Sequence, residues 1–225
     1  MMIKYKNLTV LGTSHISVQS IKDVSSFIKN NTPDIIALEL DAARFIALTD
    51  KRAKKSSLKD VIHLGLKGFI LNQIGAYIEK KLGKLVGVSP GSEMKEAIKL
   101  AKEYNLKIEL IDQRIDITLK KLTKSITLKE KFRFVIDLIS GTLYKKKRIK
   151  IDLTKVPDES FIIEILEKIK FRYPSFYNVL IDERNKIMAK NLNKIILNNK
   201  QSSIFAIVGA GHLSGLLQEI KKSED

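Results

Sequence analysis

Apolar residues follow two rhythms along this chain. Short runs bounded by glycine, asparagine or proline alternate with longer stretches in which apolar side chains return every three or four positions, and this alternation predicts strands between helices. The first run, "NLTVLGTSH", predicts a short buried strand and a turn. Behind it Ile21, Val24, Phe27 and Ile28 fall on one helical face, with Ser17 or Ser20 placed to cap the helix. "NNTPD" ends that helix, and "IIALELD" predicts a second strand. Strand, helix and strand at this spacing form a βαβ unit, with parallel pairing and a right-handed crossover. The second strand is expected beside the first.

Further along, "SLKDVIHLGLKGFILNQIGAYIEKKLGKL" is apolar enough to suggest a membrane span, but Lys67, Asn72, Gln73 and Glu79 interrupt it. It predicts one or two helices covering the core, about residues 57–86, with Gly65, Gly68 and Gly75 allowing close packing within the monomer or across a homodimer surface. A helix is expected from near Ser92, and "LKIELID" predicts a third strand. Residues from Ile115 to Ile151 read as helical and basic. Pro157 opens a helix carrying Phe161, Ile162, Ile165, Leu166 and Ile169, which "RYPS" ends. Another helix runs from about Ser175 to Asn198, and "SSIFAIVGAGH" predicts a closing strand and turn. The whole reads as one α/β domain over residues 1–225, a central and mostly parallel sheet with helices on both faces and a helical insertion.

Composition narrows the function. Without cysteine there is no disulfide framework, thiolate metal site or Cys nucleophile. The N-terminus lacks the apolar stretch and cleavage site of a secretory signal, so a cytoplasmic location is expected. The net charge of +16 comes largely from lysine spread over many helices, as expected of solvated faces. Only "YKKKRIK" (Tyr144 to Lys150) is a dense run, and with no groove-reading motif or stacking signature no specific nucleic-acid partner is expected.

Candidate chemistry gathers at strand ends. Gly12 and His15 recur as Gly209 and His212, each histidine followed two positions later by a serine, Ser17 or Ser214. In an open parallel sheet, ligands bind outside the carboxyl ends of the strands, and both histidines are expected at that edge. A glycine there permits a sharp turn or close approach of a ligand to the backbone. Glu39 closes an otherwise apolar strand, where a buried carboxylate needs a partner, although it could instead share helix capping with Asp41. Arg184 lies on the stripe of Leu180, Ile187, Met188, Asn191 and Ile195 that should pack inward. Its guanidinium either escapes to water or is aimed at the crevice to bind a carboxylate, an oxyanion or Glu39. Asp112 and Arg114 occupy another strand edge, and His63 has no comparable frame.

The blocks "GTSHIS", "PDIIALELDAARF", "LGLKGFIL", "PGSEMKEAI", "LIDQRIDITLKK", "IDERNKIMAKNL" and "VGAGHLSGL", in this order across the chain, resemble those of the TraB/PrgY pheromone-shutdown family. That family is grouped with the TIKI metalloproteases, the erythromycin esterases and the ChaN-like haem-binding lipoproteins. The resemblance implies an α/β fold with the two histidines facing one cleft. It makes His15, Glu39, Arg184 and His212 the catalytic centre and places Arg44, Glu93, Arg114, Glu183 and Asn185 around it, beside Gly12 and Gly209. "IDQR" stands where the family more usually has "DR". Many members continue after "GAGH" into membrane-spanning segments, whereas this chain ends at "KKSED". It is therefore expected to be a soluble member, or the cytoplasmic domain of a protein anchored through a C-terminal segment beyond this chain.

Three mechanisms are compatible with these residues. In a metal-dependent peptidase, His15, Glu39 and His212 would hold a divalent ion, Zn, Mn or Co, and Arg184 would stabilise the oxyanion. In an esterase-like hydrolase, one histidine oriented by Glu39 would deprotonate water directly. A non-catalytic protein would sequester a peptide or another ligand. The family resemblance makes a peptide the expected substrate, and catalysis would explain the inward polar groups.

Overall fold

The computed structural model describes residues 1–14, 17–50, 91–140 and 158–222. His15, His63, the 57–86 cover segment, Pro157 and the basic run at 144–150 lie outside the described residues.

Five strands form one sheet in the order β1-β2-β5-β3-β4. They are β1 (Met2–Tyr5), β2 (Leu8–Thr13), β3 (Ile35–Leu38), β4 (Lys107–Leu110) and β5 (Ile204–Gly209). β1 turns back through Lys6, at φ 51, and pairs antiparallel with β2. The other pairings are parallel. Every residue of β3 and β5 is buried, as befits strands covered on both faces.

One expected neighbour relation is corrected. β3 does not lie beside β2, because β5 enters between them and pairs with both. The local pattern identified β2, β3, β4 and β5 but not their order, and β5 takes the central position.

Helix α1 (Val18–Asn31) begins at the Ser17 cap, whose side chain accepts from the Ser20 backbone, and ends at left-handed Thr32. It lies on one face of the sheet with α3 (Ser92–Glu103), burying Val24, Ile28, Met94, Ala97, Ile98 and Ala101 against Leu11, Ile36, Leu38, Phe205 and Ile207. Between them in sequence, the short α2 (Ala42–Thr49) is capped by Asp41. The opposite face carries α8 (Glu183–Asn198) and α9 (Leu213–Lys222), which bury Met188, Leu192, Ile195, Leu213, Leu216 and Ile220 against Leu8, Val10, Ala37, Ala206 and Val208. Helices therefore cover both faces.

The helical part between β4 and β5 comprises α4 (Ile115–Ser125), α5 (Leu128–Ser140), α6 (Glu159–Arg172) and α7 (Pro174–Tyr177) among the described residues. A π-helical turn, Asn178–Asp182, then joins α7 to α8, so the helix expected from Ser175 to Asn198 runs through with one widened turn. Among the described residues, no helix is long and apolar enough to cross a membrane.

Candidate active site

The site assembles where β3, β4 and β5 end. Glu39 directly follows β3, and its backbone N–H still donates to the Ile207 carbonyl of β5 at 3.1 Å. The ladder thus fixes the side chain beside the β5 turn, where Glu39 Oε2 accepts from the Gly209 N–H at 2.6 Å. Asp41, and not Glu39, caps α2, accepting from the Arg44 N–H at 3.0 Å and the Ile115 N–H at 3.1 Å. Capping being assigned elsewhere, Glu39 is free to face the crevice.

Arg184 meets Glu39 from the second position of α8. The preceding π turn changes the rotation between α7 and α8, and π turns of this kind occur often at functional sites. Arg184 Nη1 donates to the Leu180 carbonyl within that turn at 3.3 Å. Its Nη2 donates to Glu39 Oε1, while Nε and Nη2 form two bonds to Asp112 at 3.1 and 2.7 Å. Asp112 also accepts from Arg44 Nη1 at 3.3 Å and from the Gln113 N–H at 2.8 Å. Burial works against the charge on Arg184, but Glu39 and Asp112 outweigh it and hold its pKa above the ordinary arginine value.

His212 completes the cluster. It sits in the turn between β5 and α9, its N–H donating to the Gly209 carbonyl at 2.8 Å. Nδ1 lies 2.8 Å from Asn185 Oδ1, and Nε2 lies 3.0 Å from Arg184 Nη1 and 3.4 Å from Glu39 Oε1. A guanidinium has only donors, so Nε2 accepts and Nδ1–H donates to Asn185; this tautomer is assigned from the hydrogen bonds. The result is a neutral imidazole whose basic nitrogen faces the crevice. Glu39, Asp112 and His212 are almost fully buried, while the Arg184 side chain retains 15% exposure.

The glycines act by what they lack. A Cβ on Gly215 would stand 2.4 Å from Asn185 Nδ2, so a side chain there would displace the amide that orients His212. At Gly12 a Cβ would meet Leu213 and the Ala210 backbone at 3.1 and 3.2 Å, which keeps β2 close to the turn carrying His212.

Of the residues singled out in the sequence, Glu39, Arg184, His212, Asn185 and Gly209 come together, with Arg44 at the margin through Asp112. His15 lies outside the described residues, two positions after β2, which pairs with β5 through Thr13 and Gly209. Arg114 turns outward to Asp116, at 2.9 Å, and its side chain is 69% exposed. Glu183 pairs with Lys121 at 2.6 Å. Glu93 is buried in the first turn of α3, on the face of the sheet opposite α8. Asp112, noted in the sequence with Arg114 at another strand edge, is a core member through Arg184 and Arg44. Gly215, one helical turn after His212, was missed altogether.

A divalent ion would find two suitable donors here, His212 Nε2 and Glu39 Oε1. Arg184 donates to both, however, and among the described residues no group of three or more ligating side chains could hold a metal. The third donor of the expected centre, His15, lies outside the described residues.

A mostly parallel α/β sheet with an acid–arginine–histidine cluster at its carboxyl edge defines the class of protein. Residues 3–224 match the TraB/PrgY/gumN family, and the chain belongs to it. It is 40% identical over 224 residues to an uncharacterised protein of Methanocaldococcus jannaschii, covering 97% of this chain and 54% of that protein. It is 25% identical to a TraB domain-containing protein of Bos taurus and 23% identical to one of Homo sapiens, each over 92% of this chain and 60% and 61% of theirs. The chain thus spans little more than half the length of these relatives. Among solved structures, the cofacial haem complex of ChaN from Campylobacter jejuni is similar at a TM-score of 0.42 and 14% identity, over 98% of this chain and 78% of that one.

Proposed function

We propose that this TraB domain is a hydrolase acting on a peptide or another acyl compound, with His212 as general base and Arg184 as the electrophilic group. The observation that carries this reading is the orientation of His212: Asn185 holds Nδ1–H, and Nε2 is left as an acceptor in the crevice, 3.0 Å from Arg184. That nitrogen is the acceptor beside the guanidinium on which a substrate oxygen would rest.

The chemistry follows from the donors present. A substrate carbonyl oxygen takes the Arg184 Nη1 hydrogen bond from His212, and a water molecule takes the place beside Nε2. His212 removes a proton from the water as its oxygen bonds to the carbonyl carbon, and the resulting oxyanion rests on Arg184. The imidazolium, stabilised by Glu39, then gives the proton to the leaving nitrogen or oxygen as its bond to the acyl carbon breaks. One water is consumed, and an acid and an amine or alcohol are released. Glu39 and Asp112 keep the guanidinium fixed and charged throughout, so little reorganisation is required in the transition state.

The test is incubation of the purified, untagged chain with a mixed peptide library, followed by mass spectrometry, alongside the same chain carrying His212→Ala. Cleavage that this substitution abolishes supports the proposal. Peptide retained without any cleavage product would replace it with the sequestration reading. Stoichiometric divalent metal, lost with His212→Ala, together with activity abolished by chelation would replace it with a metal-dependent mechanism completed by His15.

A further inference from the structure

The helical part between β4 and β5 presents a surface that the site does not use. On α5 both acidic side chains turn inward. Glu130 accepts from the Thr127 N–H and hydroxyl, each at 2.9 Å, and from the Ser175 N–H at 2.8 Å, while Asp137 accepts from Arg172 and the Tyr173 hydroxyl. Among the described side chains of α5, those left exposed are cations and apolar groups. Leu128, Phe132, Phe134 and Ile136 are 82%, 70%, 52% and 45% exposed, with Lys129 and Lys131 exposed among them. Phe171, at the end of α6, is 90% exposed.

These groups belong to one area. Arg133, which stands between Phe132 and Phe134, donates to the Arg172 carbonyl at 2.6 Å, and the ring of Phe134 meets that of Tyr173 edge-on at 6.3 Å. These contacts hold the end of α6, on which the exposed Phe171 stands, against α5. In sequence, α5 leads directly towards "YKKKRIK", the densest basic run of a chain with net charge +16.

We propose that α5 and the end of α6 form a docking face for an anionic lipid surface. Exposed phenylalanines and aliphatic residues interleaved with lysine, on a helix stripped of outward acids, match what such an interface needs: rings and alkyl groups to enter the headgroup–acyl boundary, and cations to meet the negative leaflet. A nucleic acid would reward the lysines, but it offers nothing to Leu128 and Ile136. A second copy of the chain would bury the rings while bringing two strongly cationic surfaces together. The lipid surface satisfies both halves of the face.

The experiment is flotation of the chain with vesicles of phosphatidylcholine alone and of phosphatidylcholine with 30% phosphatidylglycerol, at low and physiological salt. The expected result is binding to the anionic vesicles that salt weakens, with little binding to the neutral ones. The pair Phe132→Ser and Phe171→Ser should lower the partition coefficient roughly tenfold. The pair Lys129→Gln and Lys131→Gln should lower it roughly thirtyfold. All four positions are exposed, and unchanged circular dichroism and melting confirm that the variants fold. No binding to anionic vesicles, equal binding to both kinds, or anionic binding untouched by the phenylalanine pair overturns the proposal. So does light scattering that shows a dimer converted to monomer by that pair, which would assign the face to a second copy. Binding to a random RNA that depends on the lysines and ignores the phenylalanines, in a chain that ignores vesicles, would assign it to nucleic acid.

Discussion

Glu39 and Asp137 are both buried carboxylates, and each meets a guanidinium, Arg184 in one case and Arg172 in the other. Their surroundings differ in a way that separates a site from a joint. Asp137 meets the consecutive Arg172 and Tyr173, and neighbouring Glu130 takes up Thr127 and Ser175, so these contacts tie the start and middle of α5 to the end of α6 and the beginning of α7. Glu39 shares its guanidinium with Asp112 and His212, so that four separate parts of the chain meet, and the accepting nitrogen of His212 lies against Arg184. Buried charge alone does not distinguish the two regions; the presence of a displaceable donor–acceptor contact does.

The largest effect should separate function from stability. His212→Ala is expected to lower hydrolytic turnover by roughly 10²–10⁴-fold, the usual worth of a general base, with little change in melting temperature. Asp137→Asn should do the reverse, lowering the melting temperature by a few degrees while folded protein keeps its turnover. If both variants lose turnover alike at matched folded fraction, the distinction fails.

Next comes the carboxylate support of Arg184. Asp112→Asn or Glu39→Gln leaves a mostly buried guanidinium with one anionic partner fewer. Removing one member of a buried ion pair costs about 3–5 kcal/mol, near the upper end here because little of Arg184 can reach water. Denaturant unfolding measures this, and the corresponding loss at Arg172, whose side chain is 43% exposed, should be smaller.

A smaller change tests the orientation of His212 without touching a charge. Gly215→Ala pushes on Asn185 and should lower turnover roughly tenfold, in the range seen when a group that orients a ligating or basic histidine is lost. Asn185→Ala combined with it should add little, since both act through the same hydrogen bond. Additive losses would show that Gly215 works by another route.

The smallest effect lies in the joint and appears in acid. Burial pushes the Glu130 pKa up, but donation from Thr127 and Ser175 outweighs it and holds the group below its ordinary value of 4.5. Its contribution to stability is therefore complete above pH 4.5 and disappears as the pH falls through the depressed value. Melting curves of wild type and Glu130→Gln should converge as the pH drops below 4.5; a constant gap would show that the carboxylate charge is not what the joint uses.

Much of this was readable in the residues. The strands, the Ser17 cap and the inward stripe of α8 follow from local periodicity, and the repeated glycine–histidine frame marked the sheet edge. Strand order was not readable, because β2, β3 and β5 carry similar apolar runs and nothing local says which lies in the middle. β1 was hidden by its half-exposed pattern, with Lys4 and Lys6 at an edge. In "IDQR" the arginine drew attention as the cation of a motif, yet chain direction after β4 turns Arg114 to the surface and keeps Asp112 inside. Asp112 gains meaning only from Arg184 and Arg44, which reach it from distant elements.

The position of β5 has a consequence for how the molecule comes into being. Leu8 and Ile35 both pair with Ile204, so the strand that joins the two halves of the sheet is synthesised long after the strands it joins. Until it arrives, β2 and β3 have open edges facing one another, and contacts of such long sequence separation form slowly. A nascent chain in this state exposes two sticky strand edges to its neighbours in the cell. Insertion of β5 closes them, and the same step carries Gly209 to Glu39 and His212 to Arg184. The cluster around Arg184 is therefore assembled only once β5 is in place.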